Sequence, residues 1–216
     1  LYFSGSYART YAVDALSGKL KWVFDPKTWD RSPNRFTFGA NRGVAYEDGR
    51  IFVAEMDGRV DALDAKTGKL LWSADSIPPE HKLNNSTGAP RTMNGKVIIG
   101  NGGADGGARG FVTAFDAKTG KQLWRFYTVP GSPEENAKDP AMAAAAKTWR
   151  GEFWKGGTGG TVWNGMTFDP ELNRVYIGVG NAGPYDPEVR SPGGGDNLYT
   201  TSIVALDATT GKYIWH

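Results

Sequence analysis

The apolar positions of this 216-residue chain fall in short runs rather than long amphipathic stretches, and the runs recur. Four segments align without gaps: 11–22 (YAVDALSGKLKW), 61–72 (DALDAKTGKLLW), 113–124 (TAFDAKTGKQLW) and 204–215 (VALDATTGKYIW). Each keeps Ala-x-Asp-x3-Gly-x3-Trp, so Asp14, Asp64, Asp116 and Asp207 stand eight residues before Trp22, Trp72, Trp124 and Trp215. The pattern predicts a hairpin. A short apolar strand reaches the Asp, the chain reverses at a Gly free to take positive φ, and a strand ending in the Trp returns. The Asp is placed to accept hydrogen bonds from turn amides, and the Trp to lay a flat face on the next unit. Upstream of the last three units lie Arg50–Val53, Lys96–Ile99 and Arg174–Ile177. These are continuous apolar runs, as expected of strands covered on both faces.

The Asp-to-Asp steps are 50, 52 and 91 residues, so the last is one ordinary repeat plus an insertion. The insertion is placed at 128–160, where Ala141 to Lys147 reads as a helical turn on the face that carries function. Short β units at this period predict an all-β fold, a β-propeller with one four-stranded blade per repeat. A sandwich is the alternative, but it would not need four copies of one turn. Four repeats make at most four blades, with the outer two expected to be incomplete. Leu1-Tyr2-Phe3 reads as the middle of a strand and Tyr213-Ile214-Trp215-His216 stops inside an apolar run. Residues 1–216 are therefore read as a partial propeller domain, a segment of a larger ring.

Composition narrows the chemistry. Thirty Gly and eight Trp suit tight turns and short strands. Twenty-five Lys and Arg against 23 Asp and Glu give no electrostatic footprint for nucleic acid. No apolar run approaches the length of a membrane-spanning helix. The absence of Cys excludes disulfide scaffolds, zinc fingers and thiol nucleophiles together. His81 and His216, the only histidines, lie far apart in sequence. Gly178-Val179-Gly180-Asn181-Ala182-Gly183 matches G-x-G-x-x-G after a strand, but Pro184 and Pro187 follow at once and deny it a phosphate-binding helix. Asn84-Asn85-Ser86-Thr87 holds two overlapping glycosylation sequons, a pattern frequent by chance.

The repeat is similar to the tryptophan-docking motif of eight-bladed quinoprotein propellers. Further stretches stand in the order seen in alcohol dehydrogenases that use pyrroloquinoline quinone (PQQ). They are Asn41-Arg42-Gly43-Val44-Ala45, Thr87-Gly88-Ala89-Pro90, Gly102 to Gly110 (GGADGGARG), Thr161-Val162-Trp163, Gly178-Val179-Gly180-Asn181 and Ser191 to Tyr199 (SPGGGDNLY). The last of these resembles the quinohaemoprotein branch, whose haem c domain would lie beyond residue 216.

The resemblance implies a set of roles. Arg42, otherwise a surface arginine, hydrogen-bonds the reactive quinone oxygens and stabilises charge as hydride arrives. Trp163, otherwise a packing aromatic, is the floor on which the quinone stacks. Thr87 and Thr161 bond the cofactor carboxylates, and Gly102, Gly103 and Ala104 belong to the cofactor site. Asp105 and Asn181 are hard oxygen ligands for Ca²⁺, or for a lanthanide. The family usually has Glu where Asp105 stands, one methylene longer. Many members also cover the other quinone face with a vicinal disulfide; Phe36-Thr37 stands at that spacing, and either Phe36 replaces the lid or the site is more open. The general base, an Asp shortly after the last docking Trp, is expected beyond His216. The expected function is oxidation of alcohols to aldehydes in the periplasm, with electrons passed to a cytochrome c or another acceptor. A non-catalytic propeller scaffold and an inactive quinone-binding relative are the competing readings.

Overall fold

A computed structural model describes residues 1–31, 39–81 and 84–216. Its strands form four antiparallel sheets in chain order. The first holds β1 (Tyr2–Ser4), β2 (Thr10–Val13) and β3 (Leu20–Phe24). The second holds β4 (Val44–Glu47), β5 (Arg50–Ala54), β6 (Arg59–Asp64) and β7 (Leu70–Asp75). The third comprises β8 (Arg91–Thr92), β9 (Lys96–Gly100), β10 (Phe111–Asp116) and β11 (Gln122–Tyr127). The fourth comprises β12 (Met166–Asp169), β13 (Arg174–Gly178), β14 (Ile203–Asp207) and β15 (Tyr213–Trp215). These are propeller blades. Only the first has three strands among the described residues; the last is a full four-stranded blade, contrary to the expectation for it.

The repeat motif explains how each blade closes. Ala12, Ala62, Ala114 and Ala205 sit directly opposite Trp22, Trp72, Trp124 and Trp215 across the outer strand pair. A small residue thus faces the large one, and the ladder shifts register right after that pair in every blade. Trp22, Trp72 and Trp124 lie inside their strands rather than at the ends, because the returning strand continues past them. In the turn, the Asp Oδ1 atom accepts from the backbone N–H and hydroxyl of Ser17, Thr67, Thr119 or Thr210. Those donors, the threonine hydroxyls foremost, hold the Asp64, Asp116 and Asp207 carboxyls below the usual carboxylate range.

The tryptophans join one blade to the next. The Nε1–H of Trp22 donates to Ala65 O (3.0 Å), that of Trp72 to Ala117 O (3.1 Å) and that of Trp124 to Ala208 O (3.3 Å). Each indole lies on the turn glycine of the following blade: a Cβ on Gly68, Gly120 or Gly211 would come within 2.5–2.7 Å of the ring. Between blades, the faces of β5, β6, β9, β10, β13 and β14 bury Phe52, Val60, Ile98, Phe115, Ile177 and Leu206.

The fourth strand expected of each blade is the inner one, β4, β8 or β12, whose place the repeat does not mark, and Arg42 leads into β4. The extra residues of the last repeat divide in two. One stretch, between β11 and β12, carries α2 (Pro133–Asn136) and α3 (Pro140–Ala146) and runs past residue 160. The other, between β13 and β14, carries the single turn α4 (Pro187–Arg190); a further turn, α1 (Thr28–Arg31), follows β3.

Trp124→Ala in the full-length protein is expected to lower unfolding free energy by about 3–5 kcal/mol. Trp124→Phe, which keeps a ring on Gly211 and loses the bond to Ala208, is expected to cost about 1–3 kcal/mol. Equilibrium denaturation with urea measures both.

Candidate functional site

The connections that enter the inner strands and those that link the middle strands meet at one end of the blades. Asn41 fixes the first of them. Its Oδ1 accepts from Ser4 Oγ (2.5 Å) and Gly43 N–H (3.1 Å), while its Nδ2 donates to Ala54 O (2.7 Å). Arg42 is thereby presented to the neighbouring blade. Its N–H donates to Thr87 O (3.0 Å), its Nη1 donates to Thr87 Oγ1, and its guanidinium lies 5.1 Å from the centre of the Trp163 ring. Arg42, Thr87 and Trp163 come from three different blade connections and form one cluster.

Trp163 is 37% exposed, unlike buried Trp124, and offers its ring to the open end of the blades. Bare Gly180 makes this position possible, since a Cβ there would stand 2.9 Å from Thr161 O and 3.1 Å from Trp163 Nε1. Thr161 is buried, and among the described residues its hydroxyl has no hydrogen-bond partner. An unpartnered buried hydroxyl costs about 1–3 kcal/mol, so an arriving acceptor would be bound favourably.

The contacts continue to both expected metal ligands. Gly180 leads into Asn181, whose backbone O accepts from Gly160 N–H (2.8 Å) and whose Nδ2 donates to Ala182 O (3.0 Å). That bond fixes the amide so that Oδ1 is the face left over. Two residues on, Gly183 packs on Ala104, where a Cβ would lie 2.8 Å from Ala104 O. Asp105 follows in a short 3₁₀ turn, exposed, and no hydrogen bond or ion pair engages its carboxylate among the described residues. The carbonyls of Gly102, Gly103 and Ala104 are all engaged: Gly102 O accepts from Asn101 Nδ2 and Asn85 N–H, Gly103 O from Ala108 N–H and Ala104 O from Gly107 N–H. Phe36 and Thr37 lie outside the described residues.

His81 and His216 are not brought together. The first packs between Phe111 and Tyr127, where burial lowers its proton affinity, and the second lies against Tyr213 and Tyr199. Among the described residues no group of three or more His, Cys, Asp or Glu side chains is arranged to hold a metal. Asn84 is buried and donates to Arg109 O, so the first sequon is occupied structurally.

A second cluster escaped the sequence reading. The β5–β6 turn, which begins one residue past the Ala54 carbonyl that Asn41 holds, buries Glu55 and Asp57, and the start of β6 buries Arg59 and Asp61. Arg59 pairs with Glu55 (2.5 Å), Asp57 (2.8 Å) and, more distantly, Asp61 (3.6 Å). Thr28 donates to Glu55 and Ser73 to Asp61, and a protonated Glu55 is placed to share a hydrogen bond with the Asp61 carboxylate. Among the described residues, Arg59 is the cation these carboxylates share. Burial, then Asp61, pushes the Glu55 carboxyl up to about 10. The acid–base alternation of residues 55–61 within an apolar stretch was the available signal.

Comparison with known proteins places the fold in a family. The family described as "PQQ: Glucose/ethanol/alcohol dehydrogenase, beta-propeller domain" matches residues 1–216. The chain is 53% identical to quinohemoprotein alcohol dehydrogenase ADH IIB of Pseudomonas putida, covering 100% of itself and 31% of that protein. It superposes on the solved structure of quinohemoprotein alcohol dehydrogenase ADHIIG from Pseudomonas putida with a TM-score of 0.95 at 49% identity, over 99% of this chain and 32% of the other. A europium-containing methanol dehydrogenase is similar at a TM-score of 0.85 and 36% identity, over 99% of this chain and 39% of the other. The chain thus spans about a third of the length of these relatives.

The raised Glu55 proton affinity carries a sign. Its contribution to stability is complete below its ordinary value of 4.5 and is lost progressively as pH rises towards about 10. Glu55→Gln, neutral at every pH, is therefore expected to raise Tm relative to the parent protein, with a gap that widens between pH 5 and pH 9 by thermal unfolding.

Proposed function

The chain belongs to the PQQ-type glucose/ethanol/alcohol dehydrogenase β-propeller family, and on that premise we propose that it supplies part of the quinone and metal site of an alcohol dehydrogenase. The observation that carries the proposal is the convergence of Arg42, Thr87 and Trp163 from three separate blade connections onto one exposed aromatic face. A non-catalytic scaffold would have no use for that convergence, nor for the unpartnered Thr161 hydroxyl beside it.

The donor set fits a planar, acidic cofactor. When bound, PQQ supplies the hydride acceptor for the alcohol carbon. Trp163 gives the planar ring a stacking floor. Arg42 and Thr87 supply a cationic and a hydroxyl donor. The direct bond between them supports one shared oxygen group, a carboxylate, as their target; a quinone oxygen for Arg42 is the second reading. Asp105 and Asn181 offer the carboxylate and amide oxygens that Ca²⁺ takes, and a lanthanide takes the same donors. Asp105 is one methylene shorter than the family's usual Glu, so it would hold an ion closer to its loop or leave room for a water beside it. The proton acceptor is an Asp shortly after the last docking Trp, beyond His216, and electrons leave to a cytochrome c. A haem c domain serves that transfer if one follows in the whole protein. The family resemblance also supports a periplasmic setting and a small primary alcohol as substrate.

In the full-length protein with Ca²⁺, PQQ is expected to quench tryptophan fluorescence and to support dye reduction by primary alcohols. Arg42→Ala removes a charged hydrogen bond of about 1.5–3 kcal/mol, an affinity loss of about ten- to a hundredfold. Trp163→Ala is expected to weaken binding and to remove the largest share of the quenching. Unchanged affinity and quenching in both variants would overturn the assignment.

A further inference from the structure

The two expected metal ligands sit on loops from different blades, which pack on each other where Gly183 meets Ala104; their spacing needs a further tie. The structure assigns that task to the segment Thr158–Gly160, at the end of the stretch that carries α2 and α3. Gly159 makes backbone bridges to both loops at once, parallel to Arg109 on the Asp105 side and antiparallel to Ala182 on the Asn181 side. Gly159 N–H donates to Ala108 O (3.1 Å) and Gly159 O accepts from Gly110 N–H (2.8 Å). On the other side Gly160 N–H donates to Asn181 O (2.8 Å) and Gly183 N–H donates to Thr158 O (3.0 Å). A single residue is thus the spacer between the two loops.

There is no room for any other residue. Gly159 has φ +68°, and a Cβ there would meet Gly183 N at 2.5 Å, Asn181 O at 2.7 Å and Ala182 C at 2.8 Å. All three are backbone atoms, which cannot rotate aside as a side-chain tip does. The first is two residues from Asn181 and the second is Asn181 itself, so a methyl group would push that loop away from the Asp105 loop. The same stretch is also held near its start. Arg109 donates from Nε to Val129 O (3.1 Å), pairs with Glu135 (3.0 Å) and stacks 3.9 Å from the Tyr127 ring centre. Arg109 O in turn accepts from Asn84 and Asn101 Nδ2, which closes the Asp105 loop from behind.

The clamp thus fixes the distance between Asp105 and Asn181 and with it the affinity of the cation site. This inference rests on the metal reading given under the proposed function. Gly159 and Arg109 act through other residues and are positioning residues. Gly95 serves as a backbone control, with φ +76° and nothing within 4 Å of a Cβ, so that Gly95→Ala carries comparable conformational strain without the wedge.

The test uses the full-length protein with PQQ and reads Tb³⁺ luminescence sensitised by tryptophan. Gly159→Ala is expected to weaken Tb³⁺ about ten- to a hundredfold, the range seen when groups that orient a metal's ligands are lost. Gly95→Ala should leave Tb³⁺ affinity unchanged. Arg109→Gln, which loosens the other anchor without a steric wedge, should weaken it by a smaller factor and keeps the test decisive if Gly159→Ala does not fold. Equal Tb³⁺ affinity in the parent, Arg109→Gln and any folded Gly159→Ala would overturn the clamp. Tb³⁺ binding that Asp105→Asn does not affect would instead overturn the metal reading beneath it.

Discussion

The structure depends on one contact repeated from blade to blade: an indole laid flat on the turn glycine of its neighbour, with its N–H bonded to a carbonyl of the same turn. Trp22, Trp72 and Trp124 make it on Gly68, Gly120 and Gly211. The contact joins a large dispersive face to a directional bond, so it fixes both the distance and the rotation between adjacent sheets. It also explains why four motif positions cannot vary independently. Ala leaves space for the Trp across the strand pair, Asp ties the turn, Gly accepts the next ring, and Trp reaches forward.

With the outer edges docked, the opposite ends of the strands carry connections of different lengths that are free to converge. Arg42, Thr87, Trp163 and Asn181 all lie on such connections. Their contacts run between blades rather than within one, so the docking contact is what brings them into register. Glycine recurs at this end for a second reason, since Gly180 and Gly159 let backbone lie directly on a ring or on another backbone. The buried Glu55–Arg59–Asp61 group shows the cost of crowding this end: an acidic side chain is kept protonated where apolar packing alone would have been simpler.

The blades were legible in the sequence because the motif carries chemistry at every position and recurs at a near-constant step. Inner strands were not, since β8 is two residues long and β4 and β12 have no clear alternation. The family resemblance implied a common site for Arg42, Thr87 and Trp163, but the bond between Arg42 and Thr87 left no mark in the sequence. The bridge at Gly159 left no signature beyond one more glycine in a glycine-rich run, because backbone-to-backbone contacts use no side chain. Glu55 was passed over for the opposite reason: a charged residue in a β-turn reads as solvated, and here it is fully buried.

The central claim is that this blade geometry gathers a stacking floor and two metal ligands into one site. Diffraction from the full-length protein with PQQ and Tb³⁺ tests it most directly. The account predicts one anomalous peak within about 2.3–2.6 Å of oxygens from both Asp105 and Asn181, with the quinone ring parallel to Trp163. A peak that touches neither residue, or a quinone bound away from Trp163, would contradict it.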